Sequence, residues 1–308
     1  MQVYTNVQEL PKFKKAVVTI GTFDGVHLGH VKIIQQLLAE ARAIGGTAVL
    51  ITFFPHPKQV VRSNKNRLYM LSTQEEKYQL LQKQGLEHIV VVPFDEAFAE
   101  QSAEQYIKDF LVSKFHPHTI IIGYDHRFGK GRQGNFSLLE NEAANYSYRV
   151  KEIPEHVLEN VIISSTKVRD ALLDGDIKTA ADYLGYHYAF SGTVIPGNKL
   201  GRTIGYPTAN ISINDENKLV PGNAVYAVDV ELRKKLYKGM MNIGNRPTVN
   251  GKARVIEVNI FDLDEDIYGE TLRITLKKQL RSEQKFNGID ALKVQLAKDK
   301  ISSIKANP

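Results

Sequence analysis

Apolar residues fall into two regimes along the chain. In the first half they form short unbroken runs: Ala16–Ile20, Thr47–Phe53, Ile89–Val92 and Thr119–Ile122. Runs of this kind suit strands buried on both faces of a parallel sheet. Between the first two, Ile33, Ile34, Leu37, Leu38 and Ala41 recur at helical spacing, which predicts an amphipathic helix and a βαβ unit. Ser72-x-x-Glu75 and Ser102-x-x-Gln105 read as capping boxes opening further helices, the first closed by Gly85 and the second running to about Phe115. Residues 136–148 read as helix and Arg149–Ile153 as strand. A strand over Val161–Ile163 leads into another helix, which Asp174-Gly175-Asp176 ends before capping the next, and Gly185 closes that one. The pattern predicts an α/β fold over this half.

Past about residue 186 long helices disappear. Tyr188–Ile195, Val225–Leu232, Leu236–Ile243, Arg254–Ile260 and Thr271–Leu276 are strand-like, with glycines between them. Closely spaced strands with glycine turns predict an antiparallel barrel or sandwich. A last helix is expected from about Asp290 to Lys298, with Leu292 and Leu296 on one face. The expected domains are 1–185 and 186–308.

Chemistry concentrates at the strand ends. Gly21-Thr22-Phe23-Asp24-Gly25-Val26-His27-Leu28-Gly29-His30 lies between the first buried strand and its helix. Unpaired amides at a helix N-terminus attract anions, and open α/β sheets bind ligands at such turns. His27 and His30 would share one face of the first turn, a compact donor pair suited to a phosphate chain. A zinc site would need further ligands, and cysteine offers none. A Walker A loop would need Gly-Lys-Ser/Thr, and the dinucleotide fingerprint would need three glycines and no histidines. His27-Leu28-Gly29-His30 matches the His-x-Gly-His signature of the nucleotidyltransferase superfamily.

Phe54-Pro55-His56-Pro57 reads as an extended loop stiffened by proline. Gly123–Asn135 follows the fourth run and carries Asp125, Arg127, Phe128, Lys130 and Arg132 among glycines, cations for phosphates and a ring for stacking. Ser164, Ser165 and Thr166 precede Lys167 and Arg169, hydroxyls and cations at a helix start that suit phosphate. In the second half, Gly201, Arg202 and Gly205 form a basic glycine loop before Thr208 and Asn210. The hydroxyl and amide oxygens of those two residues point the same way if the segment is extended, and as hard donors they suit Mg²⁺. Glu257 alternates with apolar neighbours on a strand, where a carboxylate could accept a hydroxyl proton. Arg281–Phe286 is a polar loop with one aromatic.

The chain has 308 residues, a net charge of +6 and no cysteine. The mild positive charge suits nucleotides but is too dispersed to argue for nucleic acid. Met1-Gln2-Val3-Tyr4 lacks a basic start before an apolar core, so no signal peptide is expected, and no apolar run is long enough to span a bilayer. A cytoplasmic enzyme with no nucleic-acid or membrane partner is the expectation; a weak homo-oligomer remains open.

Taken in order, Gly21–His30, Phe54–Pro57, Gly123–Asn135, Ile163–Arg169, Gly201–Asn210, Met241–Val249, Glu257–Asp262, Tyr268-Gly269 and Leu280–Phe286 resemble the motifs of prokaryotic bifunctional riboflavin kinase/FMN adenylyltransferases (FAD synthetases). The resemblance spans the whole chain. It implies a Rossmann-like nucleotidyltransferase domain, then a six-stranded antiparallel barrel with a C-terminal helix. The implied chemistry is ATP-dependent phosphorylation of riboflavin to FMN, then adenylylation of FMN to FAD with release of pyrophosphate, both with Mg²⁺.

By the same resemblance Gly21, Phe23, His27, His30, Ser164, Ser165, Thr166 and Arg169 hold the ATP of the adenylyl step. Asp24, Asp125 and Phe128 line its flavin–nucleotide cleft. Gly201, Arg202, Gly205, Thr208 and Asn210 hold ATP in the kinase, with Thr208 and Asn210 toward Mg²⁺. Glu257 is the kinase base, and Arg281 and Phe286 belong to a flap over the flavin. The family often has an acid where Phe54 stands, an aromatic at His126 and a histidine at Asn259. Its glycine before Val-Tyr is displaced here, in Gly222-Asn223-Ala224-Val225-Tyr226. A non-enzyme alternative, an RNA-binding barrel, would need interleaved aromatics and cations that the sequence does not show. In a third reading only one half is active, the barrel serving as a flavin-binding module; Thr208, Asn210 and Glu257 argue against it.

Overall fold

The computed structural model describes residues 1–61, 67–153, 163–197, 200–248 and 251–306. The chain divides into two compact units, Met1–Ser164 and Ser165–Pro308.

The first unit is built on six strands: β1 (Gln2–Tyr4), β2 (Val17–Ile20), β3 (Ala48–Phe54), β4 (His88–Pro93), β5 (Thr119–Gly123) and β6 (Arg149–Ile153). They pair in the order β1-β4-β3-β2-β5-β6, every pair parallel. Helices α1 (Leu28–Ile44), α2 (Pro57–Val61), α3 (Gln74–Lys83), α4 (Glu96–Ala99), α5 (residues 103–115) and α6 (Phe136–Tyr146) connect them. Val18, Ile20, Val49, Ile51, Ile120 and Ile122 feed one core with Phe110, Phe115 and Leu139. Val17, Leu50 and Ile121 feed another with Ile34, Leu37, Ala41 and Leu81. Alternate residues of each strand therefore enter opposite cores, which is why the strands read as unbroken apolar runs. β2 and β5 are neighbours at the point where the winding of the chain reverses, so the loops leaving both open at one end of the sheet.

One expected cap is displaced. The capping box of α3 is Thr73 with Glu76 rather than Ser72 with Glu75: Glu76 N donates to Thr73 Oγ1 at 3.2 Å and Thr73 N to Glu76 Oε2 at 3.0 Å. The box at Ser102 and Gln105 forms as expected. Within α5 the stretch Tyr106–Val112 is π-helical, a form often found beside functional sites. Val161 and Ile162 of the expected strand lie outside the described residues.

The second unit is a closed barrel in the order β10-β11-β8-β7-β12-β9, every pair antiparallel. Its strands are β7 (Ala189–Ile195), β8 (Ala209–Ser212), β9 (Ala224–Leu232), β10 (Lys235–Thr248), β11 (Gly251–Ile260) and β12 (Thr271–Ser282). Tyr226, Val228, Met241, Ile243, Val258, Ile274 and Leu276 fill it. Helices α7 (Ser165–Leu173) and α8 (Ile177–Leu184) belong to this unit, which begins 21 residues ahead of residue 186. Gly222 N donates to Leu172 O at the end of α7 (2.9 Å), and a Cβ on Gly222 would lie 1.9 Å from Leu173 O. The displaced glycine is thus required by this close approach, while Ala224 is buried in the barrel wall. After the short α9 (Leu200–Thr203), the last helix, α10 (Ile289–Ala306), runs well beyond Lys298. Its Ser303 hydroxyl donates to Gly239 O at 2.6 Å.

Candidate active sites

In the first unit the turn after β2 is held against its own backbone preferences. Phe23, Gly25 and Val26 have φ of 47°, 76° and 39°. For Phe23 and the β-branched Val26 this left-handed backbone costs on the order of 1–3 kcal/mol each. The surroundings enforce it. Asp24, 3 % exposed, accepts from Leu71 N (3.1 Å), Ser72 N (3.1 Å) and Ser72 Oγ (3.3 Å), and Gly25 N donates to Ser72 Oγ at 3.1 Å. Asp24 is therefore a buried fastener of the turn, and Ser72, read from sequence as a helix cap, is its partner. Lys77 on α3 donates from Nζ to Thr22 O (3.4 Å) and Thr52 Oγ1 (3.3 Å).

The turn delivers His27 to the N-cap of α1, where its Nδ1 accepts from His30 N at 3.4 Å. The two imidazoles stack with centroids 3.6 Å apart and planes 16° apart, and the His30 ring lies 4.9 Å from that of Phe23. A Cβ on Gly29 would sit 3.2 Å from the His27 ring and 3.7 Å from Ile163 O, so glycine keeps this corner open. Burial first, then His27, then Lys77 hold the His30 pKa well below 6.5. His30 Nδ1 is buried with no hydrogen-bond partner. A neutral His30 at a helix N-terminus can donate an N–H bond to an anion without taking its proton.

The loop after β5 packs on the 101–106 segment. Lys130 N donates to Gln101 O (2.7 Å), and a Cβ on Gly129 would lie 2.8 Å from Ala103 backbone atoms. Phe128 exchanges two backbone bonds with Gly134 (3.1 and 2.9 Å) and stacks on Tyr106 at 4.9 Å. At 6 % exposure it is a core residue that fixes the loop, whereas Asp125 is exposed. Lys130 pairs with Glu100 at 2.6 Å, both side chains well exposed. Phe54 is 56 % exposed and precedes a cis peptide bond to Pro55. Ser164 is exposed at the end of the first unit; Ser165, Thr166 and Arg169 open α7 in the second, Arg169 being 8 % exposed.

In the barrel, register brings the expected residues together. Glu257 on β11 stands directly opposite Asn210 on β8 and Asn242 on β10. Directly opposed residues of antiparallel strands share a face, with Cβ atoms roughly 4.5–5.5 Å apart. Asn242, which sequence reasoning passed over, thus completes a polar row. Asn259, two residues along from Glu257, is 6 % exposed and donates to Pro207 O at 2.6 Å, holding the chain just before Thr208. Tyr206 N closes onto Gly201 O at 2.8 Å, and a Cβ on Gly201 would lie 2.2 Å from Tyr206 O, so that loop demands glycine. Gly205 turns it with φ 83°. Arg202 is exposed, Thr208 is exposed and Asn210 is half-buried.

Arg281 is fully engaged: Nε and Nη2 reach Asp299 on α10 at 2.9–3.1 Å, and the guanidinium lies 5.5 Å from the Phe286 ring. Gln295 Nε2 donates to the same carboxylate at 2.8 Å. The loop is also seated on β10, since a Cβ on Gly244 would lie 2.0 Å from Glu283 Oε1. Among the described residues no cluster of three or more His, Cys, Asp or Glu could hold a metal. The oxygens of Thr208, Asn210 and Glu257 nonetheless suit Mg²⁺, which binds few protein ligands and keeps waters and substrate phosphates.

Two family models match the chain, FAD synthetase over residues 10–167 and riboflavin kinase over residues 184–306. Proteins named bifunctional riboflavin kinase/FMN adenylyltransferase match over nearly the whole length. The Escherichia coli (strain K12) protein is 37 % identical over 299 residues, 97 % of this chain and 94 % of its own. That of Bacillus subtilis (strain 168) is 37 % identical over 94 % and 92 %. A crystal structure named as a macrolide-efflux protein from Streptococcus pneumoniae superposes with TM-score 0.86 at 31 % identity, covering 98 % of each chain. Among the described residues no helix is long and apolar enough to cross a membrane. Fold, ordered motifs and end-to-end similarity agree: the chain belongs to the bifunctional riboflavin kinase/FMN adenylyltransferase family.

Proposed function

We propose that this chain phosphorylates riboflavin to FMN with ATP and then joins FMN to AMP from a second ATP, giving FAD and pyrophosphate. The adenylyl step is assigned to the first unit. The stacked His27–His30 pair at the N-terminus of α1, at the switch point of the sheet, is the observation that carries this assignment. The imidazole N–H groups meet the triphosphate and stabilise charge developing on the leaving pyrophosphate, while the FMN phosphate oxygen attacks the α-phosphorus directly. Gly21 and Phe23 shape the turn. Ser164, Ser165, Thr166 and Arg169 are assigned to the same phosphates by their chemistry and family resemblance, and Asp125 to the flavin–nucleotide cleft. Asp24 and Phe128 act on that cleft through the loops they fasten.

The kinase step is assigned to the barrel. Glu257 accepts the proton of the riboflavin 5′-hydroxyl as its oxygen attacks the γ-phosphorus, and Asn210, Asn242 and Thr208 orient the reactants around it. Thr208 and Asn210 would hold Mg²⁺, which neutralises phosphate charge when bound. Gly201, Arg202 and Gly205 form the phosphate loop, and the Arg281–Phe286 segment closes over the flavin. Phosphoryl and nucleotidyl transfer ask chiefly for positioning and charge stabilisation, which these residues supply. The protein acts in the cytoplasm on small molecules.

The test is incubation of the purified protein with riboflavin, excess ATP and Mg²⁺, resolving the flavins by chromatography over time. FMN followed by FAD is expected; no conversion, with riboflavin reduced or oxidised, would refute the assignment.

A further inference from the structure

We propose that Lys77 is a positioning residue for adenylyl transfer: its buried ammonium clamps the turn that carries His27 and His30 and holds a positive charge beside the stacked imidazoles. The inference rests on the assignment of those imidazoles to the triphosphate.

Lys77 is only 6 % exposed. A lysine is seldom buried so deeply, because its charge must be paired or hydrogen-bonded to offset desolvation. Here Nζ donates to Thr22 O and Thr52 Oγ1, and Thr52 Oγ1 itself donates to Thr22 O at 3.2 Å. The three groups form a closed triangle on the carbonyl that opens the left-handed turn. α3 thereby grips the turn twice, through Lys77 at Thr22 and through the Leu71–Ser72 lead-in at Asp24. Filling space would need only an apolar side chain, as Leu81 supplies one turn further along α3.

The charge interacts with Asp24 on the turn and with His30 on α1, on which His27 also acts. Desolvation lowers the Lys77 pKa to about 8, Asp24 opposing it. Lys77 in turn disfavours protonation of His30. His30 therefore meets ATP as a neutral donor, with the Lys77 ammonium available for the charge that grows as pyrophosphate departs. Preorganised charge in a water-poor site is where such an arrangement is most effective.

The experiment is the pH dependence of FAD formation from FMN and ATP by the full chain carrying Lys77→Arg or Lys77→Met. Lys77→Arg should keep the acid limb of kcat/KM where it lies in the wild type. Lys77→Met should raise that limb, as His30 loses a like charge. It should also slow the step by roughly 10²-fold while riboflavin phosphorylation persists. A Lys77→Met profile superimposable on the wild type would overturn the proposal. Should that variant fail to fold, Thr52→Val serves instead: it keeps the charge and removes an acceptor, so the basic limb should move down, and an unmoved limb refutes the clamp. His30→Ala separates the two ideas. Retained FAD formation there sinks the imidazole assignment itself, whereas loss there combined with an unshifted Lys77→Met profile sinks only the role of Lys77.

Discussion

His126 offers a quantitative test, because a titratable ring is packed beside Phe128 in the loop after β5. The ring is half-buried, lies 5.9 Å from that of Phe128, and its Nε2 is buried without a hydrogen-bond partner. Burial lowers its pKa from 6.5 to about 4; Asp125 opposes the shift, and Arg132 and Arg127 add to it. A histidine with a depressed folded pKa stays neutral in the native state while the unfolded chain takes up a proton. Its stability contribution is therefore intact above 6.5 and is lost as the pH falls, the loss levelling off below about 4. The proton-binding ratio of the two states is roughly 30 at about pH 5, or about 2 kcal/mol, against a few tenths at about pH 7. His126→Phe removes the titration and the orphan nitrogen together. At neutral pH its net effect mixes relief of an unsatisfied polar group, about 1–3 kcal/mol, with strain from a larger ring. The difference between the two pH values isolates the proton. Urea unfolding at about pH 7 and about pH 5, followed by circular dichroism, should show the wild type losing about 2 kcal/mol more than the variant in the transition that the substitution moves. Equal losses in the two proteins would refute the argument, since every other titrating group is common to both.

Three further outcomes follow from the sites. His30→Ala should cut FAD formation by about two to three decades and leave FMN formation near normal, read by flavin chromatography; equal loss of both activities contradicts the assignment. Glu257→Gln should slow FMN formation by roughly 10²–10⁴-fold while adenylylation of supplied FMN continues, so normal FMN output would remove Glu257 from the mechanism. Asp299→Asn leaves a mostly buried Arg281 with a weakened partner. It should destabilise the barrel by about 1.5–3 kcal/mol in thermal or urea melts and raise the riboflavin KM more than it lowers kcat, whereas an unchanged melt would mean the pair is dispensable.

The chain order of strands and helices was legible because each α/β strand feeds two cores and each helix one. What escaped the sequence was decided by partners far along the chain. Ser72 and Thr73 both offer a hydroxyl ahead of a glutamate, and only the presence of Asp24, 48 residues before Ser72, draws Ser72 away from the cap. β8 is four residues long and half-buried, too short to announce itself by alternation, yet it carries Asn210 to Glu257. α10 outruns its expected end because Asp299 and Ser303 are buried by contacts to Arg281 and Gly239, and a polar residue gives no apolar signal. The partner of Arg281 left no sequence signal for the same reason. Lys77 did leave a trace: it lies one helical turn before Leu81, a lysine on an apolar stripe.

The placement of α7 and α8 bears on how the gene could be divided. A kinase begun at residue 186 would lack the helix end that receives the Gly222 amide, and the bare loop and barrel wall would meet water. A kinase set on a chain of its own therefore needs its lead-in from Ser165 onward, because the barrel is finished by helices that precede its first strand.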